Sequence, residues 1–222
     1  MEPVRQSKPK PFAARHRQAA ETRATILRAA ADIFAQAGLA GARTDAITQA
    51  ARVNKALLYY YFKSKDDLYS AVLEDHLGEF SQRALEILAS RDSARAVVLR
   101  YVSMHFDFIS ARPYYPALLQ RFMMTGGPTF QRLARKFFVP LGRAFIAVLE
   151  RGARAREFRK VDSRHMAISL VGLTVFYFVS APVTRLVGRF DPYAARNLAR
   201  RKEEVLRFVR YGLFRDPEAR VP

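Results

Sequence analysis

Hydrophobic positions along the chain recur at helical rather than strand spacing. From Glu21 the apolar residues Ile26, Ala30, Ile33, Phe34 and Ala37 follow one another at intervals of three and four, and Gly38 supplies a stop. A short helix is predicted over Thr44–Ala51, with Ile47, Ala50 and Ala51 inward, and a second over Lys55–Phe62. Between them lies the turn Arg52-Val53-Asn54, where Asn54 is suited to cap the second helix by accepting from a first-turn amide. Ser64 caps the next helix, which runs to about Ala89 with Asp66 and Asp67 near its positive end. Further helices are predicted over Ser93–Ser110, Tyr114–Met124, Pro128–Arg156, Asp162–Val179 and Pro192–Leu213. Breakers mark their ends: Arg112-Pro113, Gly126-Gly127-Pro128, Ala181-Pro182 and Asp191-Pro192. Pro140 should kink or divide its helix. No segment alternates with a period of two, so the predicted fold is all-α. It consists of an N-terminal three-helix domain containing a helix-turn-helix and a larger C-terminal helical domain.

Composition narrows the class. Half of the 222 residues are hydrophobic, enough to offset the entropy of ordering by burial. Lys and Arg number 38 against 20 Asp and Glu, a formal charge of +18, which draws polyanions and above all nucleic acid. Most of that excess lies beyond residue 70. With no cysteine, disulfides, thiolate metal sites and cysteine nucleophiles are excluded. Residues 1–18 hold three prolines among Arg and Lys and read as a flexible basic arm, not a secretory signal. The apolar run Ile168–Val183 is short for a bilayer and is interrupted by Ser169, Thr174 and Ser180, so it is assigned to a core or an interface, and no membrane partner is expected. There is no glycine-rich phosphate loop, nucleophile elbow or paired metal motif, and His105 with Asp107 is too sparse for a metal site. No enzyme activity, catalytic residue, metal or cofactor is therefore expected.

Two short helices joined by a tight turn can lock at a steep angle through Ile47, Ala51, Val53, Leu58 and Phe62. The second helix then offers its N-terminus and a polar face to a major groove, with Asn54, Lys55, Ala56, Tyr59 and Tyr60 accessible. Lys and Asn donate to base edges or phosphates, and tyrosine hydroxyls bond phosphate oxygens. Lys63 and Lys65 follow directly as cations for the backbone.

The stretch from Thr22 to Leu73 resembles the DNA-binding domain of the TetR family of bacterial regulators. The resemblance rests on Ile26, Ala30, Phe34-Ala35 and Gly38, on Ile47, Ala50-Ala51 and Val53, and on Leu58 to Phe62 with Lys65 and Leu68. It implies a homodimeric repressor on double-stranded DNA, holding a pseudo-palindromic operator with its recognition helices roughly 34 Å apart. It further implies release by a small-molecule effector, here unidentified, and a cytoplasmic, nucleoid-associated protein. By that resemblance DNA contacts fall to Arg43, Thr44, Asn54, Lys55, Ala56, Tyr59, Tyr60, Tyr61 and Lys65, and Arg52 is expected to add a cation beside the same face. The division implied is an arm over 1–18, a DNA-binding domain over 19–68, and a ligand-binding and dimerisation domain over 69–222. The candidate walls of an effector cavity are Tyr101, His105, Phe108, Phe122, Met123, Phe145 and Tyr177, and the last two predicted helices resemble dimerisation elements. This chain departs from the family in having Arg43 in place of Ser or Thr, and Arg52 and Ala56 in place of Gly. The alternative reading is a DNA-binding regulator, an activator or a partner-controlled protein, with no small-molecule ligand.

Overall fold

The computed structural model describes residues 12–218. The first helix, α1 (Phe12–Gly41), begins inside the span expected to be a flexible arm, while the remainder of that arm lies outside the described residues. Gly38 (φ 70°, ψ 178°) breaks α1 before its last turn, a left-handed φ that glycine adopts without a Cβ penalty. Then follow α2 (Thr44–Ala51), α3 (Lys55–Tyr61) and α4 (Lys65–Leu88). The chain divides into two compact units at Val72, inside α4, a few residues beyond the expected boundary at 68.

The first unit is built on Ile26, Ala30, Phe34, Ile47, Leu58 and Leu68, all without exposed surface. Phe34 meets Tyr69 edge-on at 5.0 Å, and the Arg23 guanidinium lies over the ring of Phe62. Ala50, predicted to face inward, is exposed, because α2 buries only Ile47, Thr48 and Ala51. Its eight residues leave a narrow inner stripe.

The second unit holds the rest of α4 and α5 (Ala94–Ser110), α6 (Tyr115–Thr125), α7 (Gly127–Leu133), a π-helical turn (Ala134–Phe138), α8 (Val139–Arg154), α9 (Ser163–Val179), α10 (Ala181–Gly188) and α11 (Ala195–Leu213). Pro140 shows its effect as that π-helical turn. The proline has no amide to donate and its ring crowds the carbonyl four residues back, so the preceding turn widens to i→i+5 spacing. Pro182, read as a boundary alone, opens the additional helix α10 from its first turn, where a missing amide costs nothing. The predicted Ser64 cap of α4 is present, its Oγ accepting from the Asp67 amide at 3.0 Å. Two caps not read from the sequence join it, Ser93 accepting from the Ala96 amide at α5 and Asp162 from the Arg164 and His165 amides at α9. Those two backbone amides hold the Asp162 carboxyl below its ordinary range.

Among the described residues there is no strand, only an isolated antiparallel bridge between Phe158 and Phe214. Their buried rings stack at 5.7 Å, and Gly152 permits the approach, since a Cβ there would stand 2.2 Å from the Phe158 ring. Glu157 beside it accepts from the Ala94 and Arg95 amides, giving α5 a second cap from a distant part of the chain.

Candidate nucleic-acid interface

The local sequence fixes how α3 is presented. Asn54 is extended (φ −82°, ψ 164°), and its side-chain oxygen accepts from the Leu57 amide at 2.7 Å. Leu58 is the buried residue of this seven-residue helix, with Phe62 buried just beyond its end. That anchor leaves Lys55, Ala56, Tyr59 and Tyr60 outward, Tyr60 at 80 % exposure. Tyr61 is half-buried and lies edge-on to Tyr60 at 5.2 Å. On the approach to α2, Arg43 is exposed and Thr44 half-buried. Arg43 stands at the N-cap without a side-chain cap bond, so the first turn of α2 relies on Asp45 to complement its amides.

Arg52 occupies the position where the family has glycine, and it adopts the conformation glycine would (φ 54°, ψ 42°). Its amide closes α2 on the carbonyl of Gln49 at 3.2 Å. A left-handed backbone costs an L-residue about 1–2 kcal/mol, partly offset by the lower freedom of arginine in the unfolded chain. Arg52→Gly is therefore expected to raise the stability of the first unit by about 0.5–1 kcal/mol. As an exposed cation beside α3, Arg52 is expected to add to the salt dependence of DNA binding, so the same variant should flatten the log–log slope by about one unit. Denaturant titration and DNA titration at several salt concentrations check the two effects separately.

The structure brings Arg43, Thr44, Arg52, Asn54, Lys55, Ala56, Tyr59, Tyr60 and Tyr61 onto or beside one helix-turn-helix, but it takes the Lys65 ammonium elsewhere. Lys65 Nζ donates to the carbonyls of Ala40 (3.2 Å) and Ala42 (3.1 Å), tying the start of α4 to the C-terminal end of α1. Sequence reasoning also passed over Asp45, whose Oδ1 accepts from Lys55 Nζ at 3.0 Å. This hydrogen bond and the carboxylate charge raise the lysine's affinity for its proton. The ten-residue separation of the two gives no local signal.

In the second unit the expected cavity residues fall into separate groups. Tyr101, His105, Phe108 and Phe145 are buried together: the Tyr101 and Phe145 rings are 4.2 Å apart, and Phe80 bridges His105 and Phe108 at 5.0 and 5.2 Å. Thr174 Oγ1 lies 2.8 Å from the carbonyl of Val171 and is hydrogen-bonded to His105 Nδ1 at 2.9 Å. Burial pushes His105 down to about 4 and Tyr101 above its ordinary value. Phe122 packs instead on Phe130 of α7, Met123 is 60 % exposed, and the Tyr177 hydroxyl donates to the carbonyl of Pro192. An open groove of about 740 Å³ lies between α4, α5 and α11, with an apolar floor of Ile87, Leu99, Met104 and Leu206. Of the expected wall residues it takes only Phe108.

A capped recognition helix anchored by one leucine, with lysine and tyrosines outward, defines a helix-turn-helix protein of the DNA-reading kind. Comparison with known proteins places it more closely. Residues 26–72 match the family model described as bacterial regulatory proteins, tetR family. Residues 95–209 match the model described as tetracyclin repressor-like, C-terminal domain. The chain belongs to the TetR family. It is 30 % identical over 105 residues to the HTH-type transcriptional repressor NicS of Pseudomonas putida, a match covering 47 % of this chain and 50 % of that protein. The chain thus spans about half the length of that relative. The fold is also that of the ketosteroid transcriptional regulator KstR2 of Mycobacterium tuberculosis (TM-score 0.70, 20 % identity, 87 % of this chain and 95 % of that one). The regulator FadR from Bacillus subtilis, solved in complex with stearoyl-CoA, is similar as well (TM-score 0.65, 18 % identity, 84 % and 96 % covered).

Proposed function

We propose that this protein is a transcriptional repressor that grips a pseudo-palindromic operator as a homodimer and leaves it when a small molecule binds the second unit. The observation that carries the reading is the presentation of α3: its N-terminus and its Lys55–Tyr60 face are free of the core, and cations flank it at Arg43 and Arg52. The +18 charge supplies the long-range attraction to DNA. Acting on chromosomal DNA, such a repressor works in the cytoplasm at the nucleoid.

Support for the dimer comes from the outer side of α9. One face of this helix is buried through Ala167, Leu170, Thr174 and Phe178, yet Ile168 and Phe176 on the other are 71 % and 70 % exposed. On α11, Phe208 and Tyr211 are exposed as well, so both helices present apolar surface that a two-fold partner would cover. Phe176→Asp is expected to convert a dimer at micromolar concentration into a monomer by sedimentation and to weaken operator binding in parallel. A wild-type monomer under those conditions contradicts the dimer.

The whole reading is tested by selecting duplexes from a random-sequence pool with the purified protein and repeating gel shifts on the enriched duplex. The expected result is a palindromic site bound far more tightly than random duplex. Enrichment of no sequence contradicts the reading. The alternative, a regulator without a small-molecule input, is favoured by one observation: the rings of Tyr101, His105 and Phe145 close on one another in the centre of the second unit. A panel of apolar and acidic metabolites that never releases the enriched duplex would favour it over the first.

A further inference from the structure

The helix-turn-helix segment carries one anion. Between Arg43 and Lys63 the sequence has a single acid, Asp45, against the cations Arg43, Arg52, Lys55 and Lys63. Asp45 sits in the first turn of α2, Lys55 opens α3, and the ion pair between them at 3.0 Å spans the two helices of the motif. Both side chains remain more than half exposed. An exposed pair of this kind contributes little to stability. On a surface that must meet phosphates it has a larger consequence. It offsets the charge of the lysine at the start of the recognition helix and sets a carboxylate beside it.

Resting on the DNA-binding reading above, we infer that Asp45 is a specificity-determining residue: it holds Lys55 back from phosphates and releases it only to a base edge in the operator. In a loose complex on arbitrary sequence the available acceptors are phosphates, which are screened and repelled by the carboxylate, so Lys55 stays on Asp45 and adds nothing to affinity. In the operator complex α3 is seated in the major groove. There a guanine offers O6 and N7 to a lysine at fixed geometry, and this acceptor replaces the carboxylate. The ion pair thus lowers binding to bulk DNA more than binding to the operator and widens the ratio between them, the quantity that matters against a genome of competing sites. Asp45 also complements the amides at the start of α2. That role is structural, and it predicts a change in stability without a change in the ratio.

The test compares full-length wild type, Asp45→Asn, Lys55→Ala and the double variant on two probes, random-sequence duplex and the duplex enriched by selection, from low to moderate salt. Asp45→Asn is expected to tighten binding to random duplex several-fold and to steepen its log–log salt slope by about 0.9, one added phosphate contact. Its operator affinity should change less, so the specificity ratio falls. In the Lys55→Ala background the same substitution should lose most of its effect. The inference is overturned if Asp45→Asn leaves random-duplex affinity and slope unchanged, or tightens both probes equally. It is likewise overturned if the gain persists without Lys55, since the missing negative charge alone would then explain it. Failure of the wild type to bind any duplex at low salt overturns the DNA-binding reading first and this inference with it. Denaturant midpoints of the four proteins separate these outcomes from a loss of fold.

Discussion

Leu58→Ala is expected to destabilise the first unit by about 2–5 kcal/mol and to remove specific DNA binding under conditions where the second unit stays folded. Leu58 has no exposed surface, and α3 buries no other residue completely enough to replace it. A helix of seven residues has no stability of its own in water, so its orientation derives from that anchor, from Phe62 behind it and from the Asn54 cap. Truncating the leucine leaves a cavity that the small core of Ile26, Phe34, Ile47 and Leu68 cannot close. Lys55 and the tyrosines are untouched by the change but no longer held together. Chemical denaturation followed in the first unit gives the stability change, and gel shift on the selected duplex gives the functional one. Leu58→Met, which nearly conserves volume, should retain most of both.

The second large effect is a loss of stability in acid traceable to His105. Its imidazole is enclosed by Phe80 and Tyr101 and bonded to Thr174, and burial lowers it to about 4 from an ordinary value near 6.5. Between those values the unfolded chain takes up a proton that the folded one refuses, so stability falls as the pH falls. The contribution is fully present above the unfolded value and is lost progressively down to the folded one, reaching about 2–3 kcal/mol near pH 4.5. Tyr101 and Tyr115, the buried phenols nearby, are raised and do not titrate in this window. Carboxylates such as Glu74 and Asp162 are held low by hydrogen bonds and lose their own contributions at still lower pH. Urea midpoints at pH 7.0 and 4.5 should therefore diverge strongly in wild type and much less in His105→Gln. Equal pH dependence in the two proteins would show that His105 is not the group responsible.

The DNA-reading surface was largely legible because its determinants are local. Asn54 caps α3 through a bond three residues away, and the Leu58 anchor follows from helical spacing. Arg52 in place of glycine was visible as a backbone problem, and it takes the left-handed conformation rather than a rearranged turn. What escaped sequence reasoning joins residues far apart in the chain. Lys65 was assigned to DNA from its position after the tyrosines, and only the packing of α4 against the end of α1 sets its ammonium on Ala40 and Ala42. Glu157 capping α5 and Thr174 bonded to His105 are of the same kind. In the second unit, aromatic spacing marked residues as interior but did not say which interior cluster each joins. Phe145 packs on Tyr101, whereas Phe122 packs on Phe130.

By itself, then, the sequence determined most of the helices, the Asn54 and Ser64 caps, the helix-turn-helix and most of its outward residues. Each of these depends on backbone conformation and hydrogen bonds within a few positions, where residue type is decisive. Only the tertiary structure decided the partners of the charged side chains, the grouping of the aromatic core and the exposure left on α9. A flexible lysine or glutamate reaches whatever acceptor or donor the packing brings near, and an apolar helix shows an open face only once its neighbours are placed. The pair of Asp45 and Lys55 belongs to this second kind: two ordinary surface charges in the sequence, joined across the recognition motif by the fold.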